Sequence, residues 1–292
     1  MTEAMTRALR SLEGLSLGDA FGELAFEHNE QLFGTHTTPP GPWRWTDDTQ
    51  MAMSVVEQLR ETGAIDADAL AARLARRFTA DPERDYADGA RQALTAIAAG
   101  TPWAAAAAAL FDGEGSFGNG AGARVAPLGA WFAGDPARAA AEALKAAAVT
   151  HAHAEGRAGA AAVAAMAALV AAGPGRPTGE ALIRATREFV PEGEVRDNMD
   201  SSLQMEAHER DFAIHRLGCG WRVTGPDTIP FALWCAAHHL EDFEEAIWFT
   251  ARALGDCDTN CAIVGGIVAL SAPDLPAAWK AAREPLPPEF GV

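Results

Sequence analysis

The chain has 292 residues, with 40 acidic against 23 basic side chains and a formal net charge of -17. A charge of that sign and size excludes a broad electrostatic surface for DNA or for an anionic membrane. With 49% hydrophobic and 22% charged residues, the composition argues against long disorder, and the length is enough to bury a substantial core.

Read from the N-terminus, MTEAMTRALRSLEG lacks the apolar centre of a signal peptide. The alanine-rich runs further on are cut by charges and glycines before they reach bilayer length. No membrane span is predicted, and the cytoplasm is the expected location. Apolar residues recur at three- and four-residue intervals and alanine is abundant, so helices are predicted over 3–26, 47–62, 66–78, 84–99, 102–110, 122–132, 136–149, 155–172, 178–189, 229–238, 242–253 and 258–270. Asp135 before Pro136, and Thr178 ahead of Glu180, supply start signals for two of them. GEGSFGNGAGARVAPLG begins as a glycine-rich loop and becomes helical near Ala121, which places a helix N-terminus behind the loop. The polar stretch 193–212 reads as a surface helix with loops. Strand signals are scarce, no fixed-period repeat is visible and no Pro/Ser-rich hinge divides the chain. The expected fold is therefore one compact all-α domain over 1–292, a multi-helix orthogonal bundle. Cys219, Cys235, Cys257 and Cys261 form no CxxC pair or zinc spacing and fit free thiols in a reducing compartment.

Two short stretches carry the chemistry. TDDTQ (46–50) precedes the apolar run MAMSVV, and GDCDTNC (255–261) precedes AIVGGIVAL. A single Asp or Thr at such a place is an N-cap, stabilised by the helix dipole by about 0.3–1 kcal/mol. Each stretch holds more than one acid: Asp47 with Asp48, and Asp256 with Asp258, beside Thr46 and Thr259. Both lead into helices too apolar to lie on the surface. Buried carboxylates without compensation cost several kcal/mol each. Hard divalent cations answer this economically, since Asp, Thr hydroxyl and water suit Mg²⁺ or Mn²⁺ rather than zinc. Two unrelated capping sites stand as the alternative.

Taken with GLSLGDAFGE (14–23), GSFGNGAGARVAPLG (115–129) and the TH of VTHAHAEGRAGAAAVAAM (149–166), these stretches make the chain resemble the ADP-ribosylglycohydrolase family nearly end to end. Motifs in the expected order are far more specific than any one alone. The resemblance implies a central cleft with two Mg²⁺ or Mn²⁺ ions. Thr46, Asp47, Asp48, Asp256, Asp258 and Thr259 would be their ligands, with Asp258 bridging. It further implies that Ser116, Phe117, Gly118, Asn119 and His151 line the ADP-ribose site, with Phe117 stacking on adenine. Independently, glycine amides ahead of a helix suit a diphosphate, and an aromatic face suits a base.

The implied reaction is hydrolysis at the anomeric carbon of ADP-ribose carried by a protein or other acceptor, with arginine favoured. A metal-activated water would attack, and Asp47 or Asp48 would take its proton. Many relatives carry a glutamate where this chain has Phe26; Glu27, Glu23 or no residue would then serve, and Glu27 is taken as the expected third acid. The common GGDTDT is LGDCDT here, with Cys257 between ligands that survive. A monomer is the default expectation. Two rivals are a non-catalytic ADP-ribose-binding or immunity-type protein and a two-metal phosphohydrolase; against the latter, few basic residues near the clusters other than Arg44 and Arg124 are available to clamp phosphate.

Overall fold

A computed structural model describes residues 1–291. Its helices are α1 (Glu3–Asn29), α2 (Asp47–Thr62), α3 (Ala67–Ala80), α4 (Asp88–Ala98), α5 (Trp103–Ala108), α6 (Gly120–Ala123), α7 (Ala126–Trp131), α8 (Pro136–Ala148), α9 (Ala154–Ala171), α10 (Gly179–Arg187), α11 (Glu194–Ser202), α12 (Arg210–Leu217), α13 (Gly225–His238), α14 (Phe243–Ala251), α15 (Cys257–Val268) and α16 (Ala277–Ala282). Among the described residues there is no strand, only the isolated bridges Trp43–Arg283 and Gly118–Thr224. The all-α expectation holds.

Local chemistry explains most boundaries. Asp66 and Asp135 cap α3 and α8, accepting from the amides of Ala69 at 2.8 Å and Arg138 at 3.0 Å. Thr178 precedes α10 but makes no side-chain cap bond. The helix predicted over 122–132 is two helices, because Pro127 has no amide to continue a helical ladder through Arg124 and Val125. The polar stretch 193–212 holds α11 and the start of α12. α13 opens at Gly225, earlier than predicted, with Pro226 in its first turn. The six residues of α16 are too few to show a period.

The alanine-rich α9 corrects one expectation. Its 18 residues have mean hydropathy 1.3, so by length and composition it is able to cross a bilayer; the fold uses it as a core helix, 72% buried. Glu155 and Arg157 sit only in its first turn, which leaves the remainder uninterrupted.

The packing that positions the site is α1 against α15. Gly14, Gly18 and Gly22 recur every fourth residue and so share one face of α1. A Cβ on any of them would overlap the carbonyl oxygens of Gly265, Cys261 and Cys257 respectively, and Gly265 meets Gly14 in return. The two backbones touch along this seam. Beside it, Phe21 stacks on Trp279 at 4.5 Å and meets Trp248 edge-on at 4.8 Å. One hydrophobic cluster runs continuously from Met5 to Phe290.

Candidate active site

α2 and α15 present their N-termini to one cavity of about 360 Å³, within the range of small-molecule sites. Asp47, Asp48, Asp256, Asp258 and Thr259 line it, together with Ser116, Phe117, Gly118, Asn119 and His151. Stretches some 200 residues apart in the chain are thus brought together. The link is direct: the Thr259 hydroxyl donates to Asp48 Oδ2 at 2.9 Å.

Asp19, which sequence reading passed over, is the residue that sets the α2 terminus. Fully buried in α1, it accepts from the Thr46 amide at 3.1 and 3.0 Å, the Thr46 hydroxyl at 2.9 Å and the Thr49 amide and hydroxyl at 3.1 and 2.5 Å. An acid inside LSLGDAFG, an otherwise apolar helix, was the signal available. Burial raises its carboxyl to about 6 against those bonds. Thr46 is consequently occupied: its hydroxyl points to Asp19 and also accepts from the Asp48 amide at 3.4 Å, and Thr46 does not line the cavity.

The carboxylates strain one another. Burial first, and then Asp19 and Asp256, push Asp47 well up; burial and then Asp47 do the same for Asp48. Burial and then Asp256 raise Asp258. Burial also raises Asp256, opposed by Asn119, whose amide donates to it at 2.5 Å and to Thr228 at 2.9 Å. Asp258 Oδ1 is buried with no hydrogen-bond partner among the described residues. An orphaned carboxylate oxygen among mutually repelling acids and hydroxyls is a donor set that fits hard cations. No three His, Cys, Asp or Glu side chains among the described residues converge as a ready coordination shell. Hydroxyls and water would have to complete it.

On the opposite wall, His151 is buried, its Nδ1 at 2.8 Å from the Thr150 hydroxyl. Burial, helped by the charge of Arg124, lowers it to about 3, so the ring is neutral at physiological pH. Gly118 closes against its Nε2, and the Gly118 amide donates to the Ser116 hydroxyl at 3.2 Å. Phe117, 39% exposed, leaves a ring face available at the mouth. Arg124, fully buried beneath, donates to Ala146 O at 2.8 Å and the Thr150 hydroxyl at 2.9 Å.

The expectation for Glu27 is not matched by its position. It is exposed and does not line the cavity, since it lies near the C-terminal end of α1, beyond the seam with α15. Phe26 is also exposed, at 53%. Glu23, one turn earlier, is half-buried and raised to about 7, first by burial and then by Asp85 and Asp19. Asp85, Asp88, Val223 and Arg222 also line the mouth and were not anticipated; they lie in stretches with no motif of their own.

The fold and the site define an all-helical protein with an acidic cavity between two helix N-termini and a glycine-rich loop. A sequence profile of the ADP-ribosylglycohydrolase family matches residues 1–287, and the chain belongs to that family of hydrolases acting on ADP-ribosylated substrates. It is 28% identical over 282 residues to an uncharacterized protein of Archaeoglobus fulgidus, covering 91% of this chain and 88% of that one. Over 141 residues it is 31% identical to the ADP-ribosylhydrolase ARH3 of Xenopus tropicalis, covering 43% of this chain and 39% of that one. Among solved structures, an ADP-ribosylglycohydrolase-related protein complex is similar with a TM-score of 0.70 at 26% identity, over 97% of this chain and 94% of that chain.

Proposed function

We propose that the protein releases ADP-ribose from an ADP-ribosylated acceptor in a reaction dependent on two divalent cations, Mg²⁺ or Mn²⁺. The observation that carries this is the junction of the two acid pairs across the Thr259–Asp48 hydrogen bond, with an unpartnered Asp258 oxygen beside it. Asp47, Asp48, Asp256, Asp258 and Thr259 would hold the cations. Thr46, turned toward Asp19, would join them only by sharing its hydroxyl. The cations would supply a water of lowered pKa and a template for the ribose hydroxyls.

The chain's own residues do the rest. Asp47 or Asp48, raised first by burial and then by neighbouring acids, would take a proton from the attacking water. Phe117 offers its face to adenine, and neutral His151 offers a hydrogen bond without adding charge. Asp85 and Asp88, acids at the mouth outside both clusters, favour a cationic acceptor, which supports arginine. Glu23 is better placed than Glu27 to serve as a further acid, because its carboxyl senses Asp19 and Asp85. Four free, buried cysteines accord with a cytoplasmic protein, and we take the monomer as its working form.

Phe26 favours one alternative, a reader that binds ADP-ribose without cleaving its bond. Turnover on a panel of defined ADP-ribosylated acceptors, with cation and with chelator, separates the two. Release of ADP-ribose, strongest from arginine and abolished by chelator or by Asp258→Ala, is expected. Calorimetric binding of ADP-ribose with no release from any acceptor would mark a reader.

A further inference from the structure

An ADP-ribose pocket faces an electrostatic problem here. Among the described residues, six carboxylates line the cavity, and its basic lining is confined to Arg124 and Arg222. Two dications would offset four of those acids, leaving Asp85 and Asp88 against an anionic diphosphate. Arg124 is not free to help, since its guanidinium is committed to Ala146 O, the Thr150 hydroxyl and Met51 Sδ deep in the core.

Arg222 is different. Its side chain is 65% exposed, and its nearest acid, Asp227, lies 3.6 Å from Nε, too far for a good hydrogen bond. The backbone beneath it is nevertheless held. Its amide donates to Asp227 Oδ2 at 2.7 Å, and the adjacent Val223 sits at φ +54° with its amide on Gly220 O at 2.9 Å.

The loop 218–224 is fastened to both functional walls. On one side, Cys219 O accepts from the Asp256 amide at 3.0 Å and from Asn260 Nδ2 at 2.7 Å. On the other, Thr224 bridges Gly118, and the Gly225 amide donates to Phe117 O at 2.8 Å. Arg222 therefore stands between the wall that carries Asp256 and the wall that carries Phe117. In ADP-ribose the diphosphate joins the adenosine to the distal ribose. A ligand with its base at Phe117 and its ribose over Asp256 and Asp258 carries its negative charge past this loop.

We propose that Arg222 supplies the cationic contact to the diphosphate in the cavity, beside the glycine-rich loop, a proposal that rests on reading the site as an ADP-ribose pocket. A planar guanidinium on a fixed backbone is suited to pairing with phosphate oxygens. Because the side chain is exposed and the backbone hydrogen bond to Asp227 is kept in Arg222→Gln and Arg222→Lys, these replacements should leave folding intact.

The test is calorimetric titration of ADP-ribose, with Mg²⁺ present, into wild type, Arg222→Gln and Arg222→Lys over a range of salt. In Arg222→Gln the affinity should fall about tenfold and its salt dependence should become shallower, as expected on losing one charge-assisted contact. Arg222→Lys should recover the salt dependence and part of the affinity. Wild-type affinity in Arg222→Gln, or weaker binding with an unchanged salt slope, would overturn the assignment while leaving the pocket standing. Failure of the wild type to bind ADP-ribose would overturn the pocket, and the role of Arg222 with it.

Discussion

Asp19 and His151 show how single buried groups set the working state of the cavity. Asp19 takes bonds from both threonines that flank the first acid pair. Asp19→Asn keeps the shape but turns an amide NH₂ toward those donors. A loss of about 2–4 kcal/mol is expected, from unmade bonds to a buried acceptor, readable in urea unfolding. For His151 the sign follows from its lowered value. The unfolded state takes up a proton near pH 6.5, whereas the folded ring stays neutral to about pH 3. Stability from this group is present above pH 6.5 and is lost as pH falls toward 3, by about 2 kcal/mol at pH 5. The raised carboxylates act in the opposite direction, so the contribution is read by comparison: His151→Gln should lose less stability than wild type between pH 7 and pH 5. Equal losses would place the histidine in a solvated setting.

At the level of elements, the α1–α15 seam fixes the distance between the two acid pairs, since α15 carries Asp258 and α1 carries the Asp19 that anchors α2. Gly18→Val would drive side-chain atoms into the Cys261 backbone. A loss of about 3 kcal/mol is expected, the upper end for overpacking because a carbonyl cannot swing aside. Thermal unfolding measures it, and an unchanged Tm would show that the seam opens freely. Cations that bind only the folded chain should raise its Tm, by mass action worth about 2.7 kcal/mol at a hundredfold excess over Kd. Asp258→Asn should remove most of that rise, whereas Glu27→Gln, outside the cavity lining, should not.

Over the whole molecule, what the sequence made legible was what local rules encode. Alanine content, caps and apolar spacing located most helices to within a few residues. Repeated acid-hydroxyl grammar before apolar helices located the two acid-bearing stretches that line one cavity. Features that depend on three-dimensional neighbours were not legible. Asp19 looked like one more polar residue in a helix. Arg222 lies in a stretch without periodicity, Asp85 falls in a predicted helix that begins only at Asp88, and Glu27, taken from its place beside Phe26, is exposed and outside the cavity lining. The glycines at 14, 18 and 22 were visible as a motif, but their meaning as a seam required the partner helix.

In the proposed function, acids distant in the chain would meet to hold a pair of hard cations under a nucleotide sugar. Manganese anomalous scattering from crystals grown with Mn²⁺ and ADP-ribose tests it most directly. Two peaks bounded by Asp47, Asp48, Asp256 and Asp258, with the distal ribose above them and the base against Phe117, are the expected result. An ADP-ribose seated in the cavity with no anomalous peak between the N-termini of α2 and α15 would contradict it.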